Sequence, residues 1–350
     1  MPANFKAALV AVAVAGLTLS GCAADDTTSD PRTVRVAMVS DVGGLGDRSF
    51  NDSAYAGLRA AKHRFGDEIA VLQSMSGADY KSNLDDLAGA GYDEIIAIGF
   101  LMQEDITAAA RAYPKKHFAI IDAVVDAPNV ASVTFREEQG SFLAGAAAEL
   151  ASKTHHLAFI GGVDIPLLRK FEVGFIAGAR EIDPAARVDV RYVGSFDDEA
   201  AGKRISADLY AGGADVIFVA AGRANIGAIE TVKTLPDRFV IGVDSDEDGL
   251  APGKVLTSMM KHVDKAVIEL AKGVTKSSAP TGHVELGLKD DAVGLTDFRY
   301  TRSTMTPARQ ARLKTIAAAI VSGTIVPPST REQLAAFHPV PLSSDGSGGN

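Results

Sequence analysis

Acidic and aromatic side chains cluster where predicted strands end. The densest segment is residues 41–51 (DVGGLGDRSFN), which follows an apolar run at residues 34–40. Asp122 and Asp244 end two further runs of this kind. Because open parallel sheets bind ligands beyond the carboxyl ends of their strands, we expect these residues to share one crevice. Carboxylates there suit a ligand rich in hydroxyl or N–H donors and fit an anionic phosphate poorly.

The glycines of this segment do not form a phosphate-binding loop. The run at residues 43–46 (GGLG) departs from the dinucleotide fingerprint because Asp47 follows the last glycine directly, and no Gly-Lys-Ser/Thr follows. Asp47 or Ser49 could instead cap a helix that begins near Phe50. Phe50 could face the crevice and stack on a flat ring, or it could pack in the core. The residues by themselves leave both options open.

The elements that would position these residues alternate between strand and helix in two successive blocks. The first block has strands at 34–40, 69–75, 94–99 and 117–122 and helices at 50–64, 81–90 and 103–112. The second block has strands at 156–161, 188–193, 215–220 and 238–243 and helices at 166–181, 199–211 and 226–233. This alternation predicts an α/β protein with parallel sheets covered on both faces by helices, in two doubly wound lobes.

The N-terminus carries the pattern of an exported lipoprotein. Residues 7–19 are uncharged and would span about 20 Å as a helix, short of a ~30 Å hydrocarbon core, so a secretory signal is favoured over a membrane span. Residues 19–22 (LSGC) resemble the lipobox of bacterial lipoproteins, which implies cleavage after residue 21 and lipid, palmitate included, on Cys22. The alternative is an ordinary signal peptide followed by an incidental cysteine. Residues 22–33 are expected to form a flexible tether, and residues 341–350 a disordered tail.

The composition argues against nucleic acid as a partner and against a disulfide-bonded fold. The net charge of −9 over 350 residues provides no basic surface for nucleic acid. A single cysteine excludes an intrachain disulfide. The adjacent His155 and His156 should point to opposite faces of a strand, so no metal site is predicted. No cofactor is predicted either.

Four spaced motifs resemble one family. They are DVGG…DRSFN at residues 41–51, FEVGF at 171–175, IGVDSD at 241–246 and VLTSMMK at 255–261. Together they are similar to the basic membrane protein family of lipoproteins, also described as PnrA-like purine nucleoside receptors of ABC importers. The resemblance runs from about residue 34 to residue 271, in the order of the family.

The resemblance implies a type I periplasmic-binding fold, with two lobes joined by a multi-strand hinge and a nucleoside held between them. Carried over by residue, Phe50 would stack on the base, and Asp47 and Asp122 would bond near it. Asp244 and Lys261 would contact the ribose hydroxyls. The full predicted ligand-binding set is Asp47, Ser49, Phe50, Asn51, Asp122, Phe171, Gly222, Asp244 and Lys261. The expected lobes comprise residues 34–126 with about 248–290, and residues 127–247 with about 291–340.

The sequence departs from the family pattern at three places. Arg223 follows Gly222 where the family has a glycine-rich turn, and Glu247 stands where it often has Gln. The second stacking aromatic is open between Phe171 and Phe175, because residues four apart on a helix also form a core stripe. These departures leave the identity of the nucleoside open.

The leading hypothesis is a solute-binding lipoprotein on the outer face of a membrane. As a monomer it would deliver nucleosides to ABC permease and ATPase subunits. A ligand sensor that signals to a membrane receptor would use the same fold. An exported nucleoside hydrolase is disfavoured, since no H-E-x-x-H, G-x-S-x-G or aspartate cage is present. We therefore predict a binding protein and not an enzyme.

Overall fold

The computed structural model describes residues 33–341. The expected signal peptide at 1–21, the lipid-bearing Cys22 and almost all of the expected tether and tail lie outside the described residues. Within residues 33–341, no helix is both long enough and apolar enough to cross a membrane.

Strands and helices alternate along most of the described chain, as the sequence predicts, and are numbered from its start. The strands are β1 (Arg35–Val39), β2 (Glu68–Leu72), β3 (Glu94–Ile98), β4 (His117–Ile121), β5 (Val130–Phe135), β6 (His156–Gly161), β7 (Arg187–Tyr192), β8 (Val216–Ala220), β9 (Phe239–Asp244), β10 (Val255–Lys261), β11 (Gly282–Leu286) and β12 (Val293–Leu295). The α-helices are α1 (Phe50–Phe65), α2 (Tyr80–Gly89), α3 (Gln103–Ala112), α4 (Glu137–Ala151), α5 (Pro166–Ile182), α6 (Glu199–Ala211), α7 (Ala224–Val232), α8 (Val263–Thr275), α9 (Pro307–Val321) and α10 (Arg331–Ala335).

The strands form two six-stranded sheets. The first has the order β11-β5-β4-β3-β1-β2 and is parallel throughout. The second has the order β12-β10-β9-β8-β6-β7 and is parallel except for the antiparallel pair of β10 with β12. Central strands such as β3 (EIIAI) and β8 (VIFVA) are buried at every position, because helices cover both faces of each sheet.

The chain passes between the sheets three times: after β5, after β10 and between β11 and β12. Two strands pair differently from the lobe boundaries expected from the sequence. β5 lies within residues 127–247, yet it pairs with β4 in the first sheet. β10 lies within residues 248–290, yet it pairs with β9 in the second. A local sequence pattern carries no information about which neighbouring strand completes a strand's hydrogen bonds, because that depends on tertiary packing.

Helix α4 follows the first crossing and is absent from the elements predicted above. It is buried at nearly every position, so it has no amphipathic stripe for a periodicity argument to detect. It packs closely on α5 through Gly145 and Gly178. A Cβ at Gly145 would clash with the Phe175 carbonyl oxygen, and one at Gly178 with that of Phe142. Glycine is therefore required at this helix crossing.

Candidate ligand-binding site

The carboxyl ends of strands from both sheets line a pocket of about 630 Å³, a volume that includes its opening to solvent. Eight of the nine predicted ligand-binding residues line it: Asp47, Phe50, Asn51, Asp122, Phe171, Gly222, Asp244 and Lys261. Ser49 is fully buried and is not among the lining residues. The pocket lies where the strand-end argument places it, because each of these residues sits at or just beyond a strand end or on a helix that follows one.

Phe50 and Phe171 provide aromatic surface from the two sides of the pocket. Phe50 is the first residue of α1 and is half-buried, so its ring is neither free in solvent nor enclosed in the core. Phe171 projects from α5. Phe175, the other candidate left open by the sequence, is fully buried one helical turn further along, with its ring centroid 5.4 Å from that of Phe218. Of the two, Phe171 is the residue that lines the pocket.

A second aromatic pair was missed by the sequence reasoning. Phe100 follows β3, and Phe196 lies beyond the end of β7. Their ring centroids are 6.3 Å apart with planes at 70°, an edge-to-face contact between the two sides of the pocket. The strand-end argument would have found Phe100, since it comes directly after Gly99 at the end of a buried strand.

Lys261 forms the centre of a buried ion cluster. Its Nζ lies 2.6 Å from Asp122 Oδ2 and 3.0 Å from Glu137 Oε1, and its side chain is only 2% exposed. The ring centroids of Phe50 and Phe171 are 5.3 Å and 5.7 Å from the same Nζ, within cation–π range. The resemblance implies that Lys261 contacts ribose. In the structure, the lysine bonds the carboxylate of Asp122, and the ribose contact remains a prediction.

The charges of this cluster favour an ionised lysine among excess carboxylates. Burial by itself would lower the pKa of Lys261, but Asp122, Glu137 and Asp244 outweigh it and raise that pKa above its ordinary value. Burial raises the pKa of Asp122, while the charge of Lys261 acts in the opposite direction. Asp122 Oδ1 is buried and has no hydrogen-bond partner within residues 33–341. An acceptor in this state is suited to an N–H or O–H donor from a ligand.

Ser49, which precedes α1, makes a direct hydrogen bond to Asp244 at the end of β9. Its Oγ donates to Asp244 Oδ2 at 2.7 Å and lies 3.2 Å from the Val243 carbonyl oxygen. Burial raises the pKa of Asp244 to about 7, although Lys261 and the Ser49 hydroxyl both oppose the shift. Because Ser49 precedes α1 and Asp244 ends β9, this hydrogen bond joins the elements of the two sheets. Ser49 is thus placed to position Asp244.

Asp47 caps helix α1, which is one of the roles the sequence suggests for it. Its carboxylate accepts hydrogen bonds from the backbone N–H groups of Ser49 (3.0 Å), Asn51 (2.8 Å) and Asp52 (3.1 Å) and from Asn51 Nδ2 (3.0 Å). Asn51 Oδ1 in turn accepts from the Asp41 backbone N–H at 3.0 Å. Both Asp47 oxygens are therefore engaged by the protein itself. Asn51 links this cap to the end of the first strand.

Asp41 is a further carboxylate of the pocket. It accepts hydrogen bonds from the Tyr80 hydroxyl and from the Val42 backbone N–H. Burial raises its pKa to about 6 against the effect of these two donors. Gly99 lies directly against it: the φ of Gly99 is +118°, and a Cβ there would clash with Asp41 Oδ2. The close approach of two strand ends therefore depends on glycine at this position.

Arg223 and Glu247 are positions at which the sequence departs from the family pattern, and only Arg223 lies at the pocket. Gly222 has φ +58°, and a Cβ there would be 2.8 Å from the Phe196 carbonyl oxygen, which also accepts the Arg223 backbone N–H at 2.8 Å. Arg223 lines the pocket and is partly exposed. Glu247 does not line it: it is fully buried, and its Oε2 accepts the Val243 N–H at 3.0 Å. Arg223 can touch a ligand, whereas Glu247 supports the strand behind the site.

Comparison with known proteins identifies relatives over nearly the whole described chain. The family model described as ABC transporter substrate-binding protein PnrA-like matches residues 34–328. The CD4+ T-cell-stimulating antigen of Listeria innocua is 37% identical over 85% of this chain and 91% of its own length. The ABC transporter nucleoside-binding protein BmpA of Lactococcus lactis is 36% identical over 82% of this chain and 88% of its own.

A solved structure shows the same architecture. An ABC transporter solute-binding protein from Aeropyrum pernix superposes with a TM-score of 0.80 at 28% identity, covering 87% of this chain and 96% of its own. Together with the two parallel-dominated sheets, this confirms the α/β periplasmic-binding fold predicted from the sequence.

Proposed function

Because the chain belongs to the family of PnrA-like substrate-binding proteins of ABC transporters, as its motifs predicted, we propose that its ligand is a nucleoside, purine nucleosides foremost. The observation that carries the proposal is a pocket with aromatic rings beside buried acceptor carboxylates. Phe50 and Phe171 offer faces for a planar base, and Asp122 and Asp244 offer acceptors for its N–H groups and the ribose hydroxyls. The name of the Lactococcus relative supports the same ligand class.

The charge of the pocket favours an uncharged ligand. Asp41, Asp122 and Asp244 line it together with Lys261, whose ammonium already pairs with Asp122 and Glu137. Asp47 is a fourth carboxylate of the lining and Arg223 its second cation, so a phosphate group would still face more negative than positive side chains. Nucleosides should therefore bind more tightly than the corresponding nucleoside monophosphates.

Delivery to a permease is the remaining part of the proposal. Lipid on Cys22 would hold the protein at the outer face of the membrane, because several acyl chains together anchor far more firmly than one. A short tether would then keep the two sheets and their ligand close to the permease and its ATPase subunits. In cells, Cys22→Ala should abolish incorporation of a palmitate analogue and slow nucleoside uptake while leaving the affinity in solution unchanged.

Calorimetric titration tests the ligand class. Inosine, guanosine, adenosine, their free bases and their 5′-monophosphates would be titrated into the purified protein. At least one purine nucleoside is expected to bind with a Kd well below about 100 μM, near −5.5 kcal/mol. If every purine nucleoside fails at that limit, the proposed ligand class is wrong.

A matched pair of variants on one helix tests the stacking role. Phe50→Ala should weaken nucleoside binding by about 1–3 kcal/mol, the usual contribution of an aromatic stacked on a base. Phe65→Ala removes the partly buried phenylalanine at the other end of α1, away from the pocket, and should leave the affinity unchanged. Equal losses of affinity in the two variants would assign Phe50 to packing instead.

A further inference from the structure

A second cluster of side chains suited to binding lies at the far end of the second sheet. Glu149 stands in the last turn of α4, His155 directly precedes β6, and Asp183 follows α5. The six residues of β6 lead from this end toward the pocket, a span of about 20 Å at 3.3 Å per residue. The cluster is thus separate from the ligand site.

The three side chains converge on one point. His155 Nδ1 contacts Glu149 Oε1 and lies 3.4 Å from Asp183 Oδ2. The three donor atoms all lie within 4.8 Å of one another. Ligands at about 2.0–2.2 Å from a tetrahedral zinc ion stand roughly 3.3–3.6 Å apart. Small side-chain rotations would therefore bring the three atoms to ligand distances from a common centre.

Glu149 is the most informative member, because its carboxylate is buried. Its side chain is only 1% exposed, it is directed at His155, and its Oε2 has no hydrogen-bond partner in the described part of the chain. A buried carboxylate is costly unless a cation or hydrogen-bond donors compensate for its lost hydration. The cluster therefore has a free acceptor where a cation would be stabilised.

The surrounding structure holds the other two ligands in place. Asp215 accepts the Ser152 hydroxyl at 2.7 Å, and that hydroxyl oxygen accepts the His155 backbone N–H at 2.9 Å. Asp183 Oδ1 accepts the Ala185 backbone N–H at 2.9 Å, which leaves its Oδ2 directed at His155. Such supporting hydrogen bonds orient the ligands of protein metal sites.

We propose that Glu149, His155 and Asp183 bind a divalent first-row transition cation, with Zn²⁺ as the first candidate. One imidazole nitrogen and two carboxylate oxygens form a donor set that zinc accepts, and water would complete a four-coordinate site. The neighbouring His156 takes no part, because its Nε2 faces Asp189 at 2.9 Å. The bound cation would join the ends of α4 and α5 to the start of β6 and so stabilise the second sheet with its helices.

Zinc titration of the untagged, chelator-treated full chain tests the site. The unmodified protein should bind a single zinc ion, and His155→Ala and Asp183→Asn should each weaken binding at least tenfold. His63→Ala, which removes an exposed histidine of α1, is the matched control and should bind zinc as the unmodified protein does. Saturating zinc should raise the melting temperature of the unmodified protein and leave that of His155→Ala unchanged.

Two results would overturn the proposal. One is a failure of the unmodified protein to bind zinc by calorimetry. The other is equal zinc affinity in the unmodified protein and in His155→Ala. In either case the cluster is an imidazole bridging two carboxylates without a metal. Nucleoside affinity in the same samples reports on the pocket independently, so failure of one proposal is distinguishable from failure of the other.

Discussion

Replacing Lys261 with Met should reveal how strongly the pocket depends on its buried cation. The substitution keeps much of the side-chain volume and removes the charge that lies 2.6 Å from Asp122 and 3.0 Å from Glu137. Glu137 retains Lys170, whose Nζ is 3.3 Å away, so most of the loss falls on Asp122. Removing one partner of a buried pair costs about 3–5 kcal/mol of unfolding free energy, because the other charge stays buried and unpaired.

The loss of unfolding free energy should depend on pH, because protonation of Asp122 removes its unpaired buried charge. Burial already raises the pKa of Asp122, and loss of Lys261 would raise it further. When the pKa of a carboxyl group is higher in the folded state than in the unfolded state, the free energy of unfolding falls as the pH rises between these two pKa values. The fall is about 1.4 kcal/mol per pH unit. The variant should therefore lose about 4 kcal/mol near pH 8 and markedly less near pH 5.

Urea unfolding followed by far-ultraviolet circular dichroism would measure this difference, since the chain has no tryptophan. The double variant Lys261→Met with Asp122→Asn should recover a large part of the loss. Lys265→Met is the matched control, because Lys265 pairs with the exposed Asp291 and should contribute less than about 1 kcal/mol. A loss at Lys261 that does not exceed the control, or that is equal near pH 5 and pH 8, would refute the reasoning.

Three further predictions concern carboxylates and glycine near the strand ends. Glu94 is buried without a hydrogen-bond partner for either carboxylate oxygen in residues 33–341, and burial raises its pKa to about 8. The folded-state pKa lies above the unfolded value, so stability falls as pH rises from about 4.5 to 8. In urea unfolding, the free energy of unfolding of Glu94→Gln should therefore rise relative to that of the unmodified protein by about 1.4 kcal/mol per pH unit in that window. A difference between the two proteins that stays constant with pH would contradict this prediction. Gly99→Ala should weaken nucleoside binding at least tenfold by calorimetry because its Cβ meets Asp41, whereas Gly89→Ala, which has open space, should bind normally. Nucleoside binding near pH 6.5 should release protons, because hydroxyl donors from the ligand favour ionised Asp244, whose pKa is about 7; a binding enthalpy independent of the buffer would exclude this.

Much of the fold follows from short-range patterns. The predicted limits of β6, α3 and α6 agree with the structure at both ends. β6 is a short, fully buried and mainly apolar run, and α3 and α6 are amphipathic stretches, so their local pattern reflects their environment directly. Helix α4 lacks such a stripe because it is enclosed on all sides, and the pattern therefore does not reveal it.

The candidate site was likewise only partly predictable from the sequence. Strand ends and family motifs were enough to predict that Phe50, Asp122 and Lys261 lie around one pocket, since parallel strands present their carboxyl ends at a common edge. The pairing of Lys261 with Asp122, 139 residues apart, had no signal in the sequence.

Local sequence was sufficient to identify the eight strands and six helices of the two predicted blocks and the polar strand ends that form the cleft. The tertiary fold alone determined which strands share a sheet, that Ser49 reaches Asp244 across 195 residues, and that His155 meets Glu149 and Asp183. The physical reason is range: periodicity and helix capping act over a few residues. Partners for buried charges and strand edges are assigned only when distant segments pack together.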